Sequence, residues 1–101
     1  NDVEAVLPWQ IDVEYDERTA LNQWATAMGE VDAYDKTILP AARQAVDTAT
    51  RGFEMGKFGF IEVLDAQRTL ITAREQYLAA LAAATDARAR VEGIYGDLGT
   101  P

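Results

Sequence analysis

The carboxylates Glu54, Glu62 and Asp65 are the side chains best placed to do chemistry, because they surround a short glycine-containing segment. Two neighbouring acids can act as general acid and general base only where a cleft excludes water and separates their pKa values. The helical pattern on either side of this segment predicts a thin hairpin, which offers no such cleft. We therefore predict no catalytic residues and no enzymatic activity, and we interpret these acids as hydrogen-bonding, ion-pairing or exposed groups.

Metal and nucleophile chemistry is restricted by composition, since the chain contains no histidine and no cysteine. This excludes disulfides, thiolate and imidazole metal ligands, and Ser-His or Cys-His catalytic pairs. The remaining acids do not follow the spacing of a calcium-binding EF-hand. We therefore predict no metal site and no cofactor, and we expect Met28 and Met55 to fill the core or the turn.

The charge balance restricts the partners, with 17 acidic against 9 basic residues and a net charge of −8. A nucleic-acid partner would require a basic patch, so none is expected. No apolar run approaches the roughly 18–20 residues of a membrane-spanning helix, so this chain is not expected to span a membrane itself. It begins with Asn1 rather than Met, and we interpret it as a piece of a longer protein.

The second half of the chain carries an unbroken heptad pattern that predicts one long helix over residues 61–96. Alternating steps of three and four residues meet only apolar positions: Val63, Ala66, Leu70, Ala73, Tyr77, Ala80, Ala84, Ala87, Val91, Ile94 and Leu98. A second apolar strip, formed by Leu64, Ile71, Leu78 and Leu81, runs beside this seam. A helix with two adjacent strips contacts more than one neighbour, so it belongs in a bundle or a wall.

The first half carries a similar stripe, which predicts a helix over residues 9–37. Its members are Val3, Val6, Val13, Ala20, Trp24, Ala27, Val31, Tyr34 and Ile38, with Gln10 and Glu17 as polar exceptions. The alternation of Ile11, Val13 and Tyr15 would instead suit a short strand. Pro40 predicts a helix break near residues 38–40 and a new helix that runs to residue 53 or 54.

These elements predict an all-α fold, a single antiparallel helical hairpin interrupted at Pro40. Its first arm spans residues 9–54, its tip turn residues 55–60 and its return arm residues 61–96. Phe53, Phe58 and Phe60 cluster around the tip, where they either fasten the two arms together or form an exposed docking surface. Gly52 and Gly56 are expected to loosen the chain before the turn.

The tip sequence GKFGFIEVLDAQRTL, residues 56–70, resembles a signature of the TolC-type outer membrane factor family. The preceding ILPAAR, residues 38–43, and the later Ala73, Tyr77, Ala80, Ala87 and Gly96 also fit this family. The similarity is greatest to its heavy-metal, CzcC-type branch, covers about residues 31–96, and includes one of the family's two hairpin repeats. Residues 1–30 match weakly.

This resemblance implies a structural segment of the periplasmic α-barrel of an outer membrane efflux duct, within a tripartite RND-type system that exports heavy-metal cations or drugs. The tip would dock a periplasmic adaptor protein through Gly56, Lys57, Phe58, Gly59, Phe60 and Ile61. Asp65, Gln67 and Arg68 would make polar contacts between hairpins, although Arg68 can also pair with Asp65 on its own helix. The intact protein would be a homotrimer that meets the pump only indirectly. Two alternatives remain open, an adaptor-protein hairpin and a stand-alone coiled-coil scaffold.

Overall fold

The computed structural model describes the backbone of residues 8–99 and the side chains of residues 11–96. Helix α1 (Pro8–Ala33) leads through a π-helical turn (Tyr34–Ile38) into α2 (Leu39–Glu54), and α3 (Phe60–Gly99) returns antiparallel to both. The molecule measures 78 × 26 × 17 Å. The predicted all-α hairpin is thus confirmed, and the alternative of a strand near residues 11–15 is wrong because this segment lies within α1.

The core is a narrow seam along α3 that follows the predicted heptads. Its described members, from Val63 to Ile94, are all buried or half-buried. Half of them are alanines, which let α1 and α2 approach α3 closely. No large side chain in the described part of the chain is fully buried. Val3, Val6 and the side chain of Leu98, which were assigned to the seams, lie outside the described residues.

The first arm is interrupted at Pro40 as predicted, and the interruption is a π-helical turn directly before this proline. The Leu39 N–H donates a hydrogen bond to the Tyr34 carbonyl, five residues earlier. Proline has no N–H to donate, and its ring clashes with the carbonyl four residues before it in a regular helix. The wider turn accommodates Pro40 in the first turn of α2.

The π turn shifts the buried face by one residue, so the predicted burial of Ile38 is wrong. Ile38 is 38% exposed, whereas Leu39 is 4% exposed and packs with Ala42, Leu70 and Ala73. A regular helix would have placed Ile38 on the seam after Tyr34. The extra residue in the π turn gives that position to Leu39.

Few polar contacts join the two arms. The Tyr34 hydroxyl donates to Gln76 Oε1 at 3.0 Å, and Arg90 Nη1 donates to Gln23 Oε1 at 2.9 Å. The ion pairs found in the described part of the chain all link residues four apart within the first arm or within α3. Such exposed pairs contribute only about 0.3–0.5 kcal/mol each, so the apolar seam holds the hairpin together.

Two further side chains of α1 test the predictions made for this helix. Glu17, one of the two polar exceptions in its predicted stripe, is half-buried, and its hydrogen bond with Tyr95 raises the pKa of that tyrosine. Met28 is exposed on the outer side of α1. The expectation that Met28 fills the core is therefore wrong.

Candidate functional site

The tip turn has a defined backbone geometry that begins at the C-terminus of α2. Gly56 adopts a left-handed conformation with φ of +73°. The Gly56 N–H donates to the Phe53 carbonyl at 3.0 Å, and the Lys57 N–H donates to the Gly52 carbonyl at 2.7 Å. These two bonds form a Schellman motif, which satisfies carbonyls left without partners at a helix end. Gly56 therefore fixes the turn rather than loosening it.

Gly52 also tightens the tip, in contrast to the prediction. It is buried within α2, and its carbonyl accepts a second hydrogen bond from the Phe58 N–H at 3.1 Å. A Cβ added to Gly52 would overlap the Phe58 ring, with only 2.8 Å to Cγ and less to two other ring carbons. The absence of a side chain on Gly52 thus lets the ring pack onto the helix.

Gly59 lies directly before α3. Its carbonyl accepts a hydrogen bond from the Glu62 N–H at 3.2 Å, which closes the first turn of that helix. A Cβ at Gly59 would approach the Glu62 carboxylate at 3.0 Å. Gly59 ends the turn with little free space on the side of Glu62.

The tip carries five large, exposed apolar side chains, which we call the tip patch: Phe53, Met55, Phe58, Phe60 and Ile61. The Phe53 and Phe60 rings meet across the turn, with centroids 5.3 Å apart and planes inclined at 59°. This pair fastens α2 to α3, as one of the two alternatives predicted. All five side chains nevertheless remain 44–66% exposed, so the patch is also available to a partner.

The polar residues near the tip have few partners within the hairpin. Asp65, Gln67 and Arg68 are exposed on the first turns of α3. The alternative in which Arg68 pairs with Asp65 is not found among the ion pairs of the described residues. Lys57 likewise forms no ion pair in this part of the chain. The side chains just above the patch are thus free of pairing to each other.

The carboxylates at the tip lack the surroundings that catalysis or metal binding requires. Glu54, Glu62 and Asp65 are all exposed to water. Across the described residues, no three acidic side chains converge into a group suited to a metal ion. What this arrangement can do is present an apolar surface with polar residues beside it.

Two exposed strips run along the sides of the hairpin. On α3, Ile71 and Leu78 are more than half exposed, and Leu64 is half-buried. A second exposed strip begins with Ile38 at the end of the π turn and continues with Ala41 on α2. The heptad pattern does not predict this strip, because the π turn moves it out of the seam. No helix within residues 8–99 combines the length and hydrophobicity needed to cross a membrane.

Comparisons with known proteins agree with the resemblance drawn from residues 56–70. The family model described as outer membrane efflux protein matches residues 13–97. The cobalt-zinc-cadmium resistance protein CzcC of Cupriavidus metallidurans is 43% identical over 77 residues, which cover 76% of this chain and 18% of that relative. The chain thus spans less than a fifth of that protein's length. No solved structure matches it with significance. The chain therefore belongs to the outer membrane efflux protein family.

Proposed function

We propose that this chain is a wall segment of the periplasmic α-barrel of an outer membrane efflux duct. Membership of the efflux family and the elongated all-helical hairpin support this function. The strip formed by the exposed Ile71 and Leu78 and the half-buried Leu64 supplies an apolar side on which neighbouring wall helices can pack. The role is structural rather than enzymatic, and the intact protein assembles as a homotrimer around the export path.

The tip of the hairpin is proposed to dock a periplasmic adaptor protein through residues 56–61. The observation that carries this proposal is the half-exposed tip patch on a turn fixed by the Schellman hydrogen bonds. A surface that is already ordered loses little conformational entropy when a partner binds. Aromatic side chains such as Phe58 and Phe60 also supply large contact areas in protein interfaces.

Asp65, Gln67 and Arg68 are proposed to make polar contacts with neighbouring hairpins. Their exposure and the lack of ion pairs between them leave their hydrogen-bonding groups available. They lie on α3 just above the tip patch, so contacts at this level would fix the spacing of adjacent tips.

The proposed cargo is heavy-metal cations, because the CzcC relative is a cobalt-zinc-cadmium resistance protein. Drugs are the other cargo class that the family resemblance implies. In either case the cargo passes along the duct after an RND-type pump has selected it. The pump therefore contacts this chain only through the adaptor.

Substitution of Gly59 tests the docking role. Gly59→Trp places an indole against Glu62 and in front of the tip patch, and we expect it to reduce adaptor recovery in a pull-down by at least about 10-fold. Gly93→Trp is the matched control, since Gly93 lies far along α3 with nothing within 4 Å of a Cβ. Circular dichroism should show the same helix content for both variants. Unchanged adaptor recovery with Gly59→Trp would refute docking at the tip.

A further inference from the structure

The π turn at residues 34–38 selects one of two adjacent faces of α2 for contact with α3. The selected face contains Leu39, Ala42, Val46 and Ala49, which are buried or half-buried. The face one residue earlier contains Ile38, Ala41, Ala45 and Thr48, which are all exposed.

The earlier face is chemically suited to replace the selected one. Ile38 matches Leu39 in size, and Ala41 and Ala45 are small enough for the close approach that the alanine-rich seam of α3 permits. The face one residue later is unsuited, since it contains Pro40, Arg43 and Asp47. A one-residue slip of α2 is therefore compatible with the seam in one direction only.

We propose that the π turn is a register switch that lets α2 occupy either face against α3. In the second register residues 34–38 form regular α-helix, so that Ile38 follows Tyr34 on the seam. The change rotates α2 by about 100° and shifts it by about 1.5 Å. The buried residues of α1, among them Ala20 and Ala27, keep this helix in place against α3.

Pro40 holds the switch in the observed register. In an uninterrupted α-helix its ring would clash with the Lys36 carbonyl, which would also lose its N–H donor. Replacing proline with a good helix former inside a helix should therefore change the ratio of the two registers on the order of 100-fold. Pro40→Ala thus releases the second register, in which the tip patch points in a new direction. This device would operate whether or not the tip docks an adaptor.

Disulfide trapping in the full-length protein tests the switch. Ala42 and Ala73 belong to one buried cluster, so the pair Ala42→Cys/Ala73→Cys reports the observed register. The pair Ala41→Cys/Ala73→Cys reports the second. After oxidation, mass spectrometry of the linked peptides gives the ratio of the second disulfide to the first. With Pro40 present this ratio should be low, and with Pro40→Ala it should rise at least about 10-fold.

Two changes should reverse that rise. Deleting Thr37 from the Pro40→Ala protein removes the extra residue, so a regular helix again places the original face on the seam. Ala45→Asp charges the second face alone. Pro40→Gln repeats the test with another helix former in case Pro40→Ala fails to fold, which circular dichroism would reveal. If the ratio stays unchanged in folded Pro40 variants, the π turn is a fixed feature and the proposal is wrong.

Discussion

Replacement of Gly56 by alanine should loosen the tip turn by a predictable amount. Gly56 has a φ of +73°, and an L-residue with a Cβ pays about 1–2 kcal/mol in this left-handed region. A Cβ at this position meets no atom within 4 Å, so the effect comes from the backbone alone. The affected hydrogen bonds are those from Gly56 to Phe53 and from Lys57 to Gly52.

Hydrogen exchange measures this loss directly. A local opening that becomes easier by about 1–2 kcal/mol should speed exchange of the Gly56 and Lys57 amides by about 5–30-fold in the full-length protein. Gly93→Ala is the matched control, because Gly93 lies within α3 with open space around it. Alanine at that position should instead slow local exchange, since it favours the helix by about 0.5–1 kcal/mol. Equal exchange at the tip before and after Gly56→Ala would refute the role assigned to this residue.

Three other predictions concern packing and titration. Leu39→Ala should lower the free energy of unfolding by about 2–3 kcal/mol, and Ile38→Ala by less than about 1 kcal/mol. Urea unfolding of both variants measures the two losses, and equal losses of stability would contradict the shifted register. Gly52→Ala should displace the Phe58 ring and expose more of the tip patch, which increased binding of a hydrophobic dye would show. Unchanged dye binding would contradict the packing of Phe58 on Gly52. Glu17→Gln should lower the raised pKa of Tyr95 toward 10.0, measured by ultraviolet titration. Because the pKa of Tyr95 is raised in the folded state, the stabilisation by the Glu17–Tyr95 hydrogen bond is complete below pH 10 and is lost as the pH rises through the raised pKa of Tyr95. If Glu17→Gln leaves the Tyr95 titration unchanged, the Glu17–Tyr95 hydrogen bond is not its cause.

The long return helix was predictable from the sequence, and the interruption of the first arm only in part. From Ile61 to Glu92 there is no Pro or Gly, and the heptads are unbroken, so local preference and the apolar seam favour the same structure. Near Pro40, both Ile38 and Leu39 are apolar, and stepping by three and four selects the wrong one. The choice depends on how the backbone makes room for the proline ring, which the hydrophobic pattern does not encode.

The tip shows the same division between local and non-local information. A glycine directly after the last turn of a helix commonly adopts a left-handed conformation that ends the helix. The sequence could therefore have predicted Gly56 as the end of α2 rather than as a residue that loosens the chain. The packing of Phe58 on Gly52 depends on where the chain returns after the turn. The contacts proposed for Asp65, Gln67 and Arg68 depend on other hairpins, so neither the sequence nor a single hairpin can define them.

Disulfide cross-linking between the tip and the adaptor tests the central proposal most directly. In the full-length protein, Lys57→Cys and Gly59→Cys would each be paired with single cysteines along the tip of the adaptor encoded with it. We expect specific cross-links at these positions and none with Glu75→Cys, an exposed control on α3 away from the tip. An absence of cross-links at both tip positions, with both proteins folded and present, would contradict docking and favour a helical scaffold without that role.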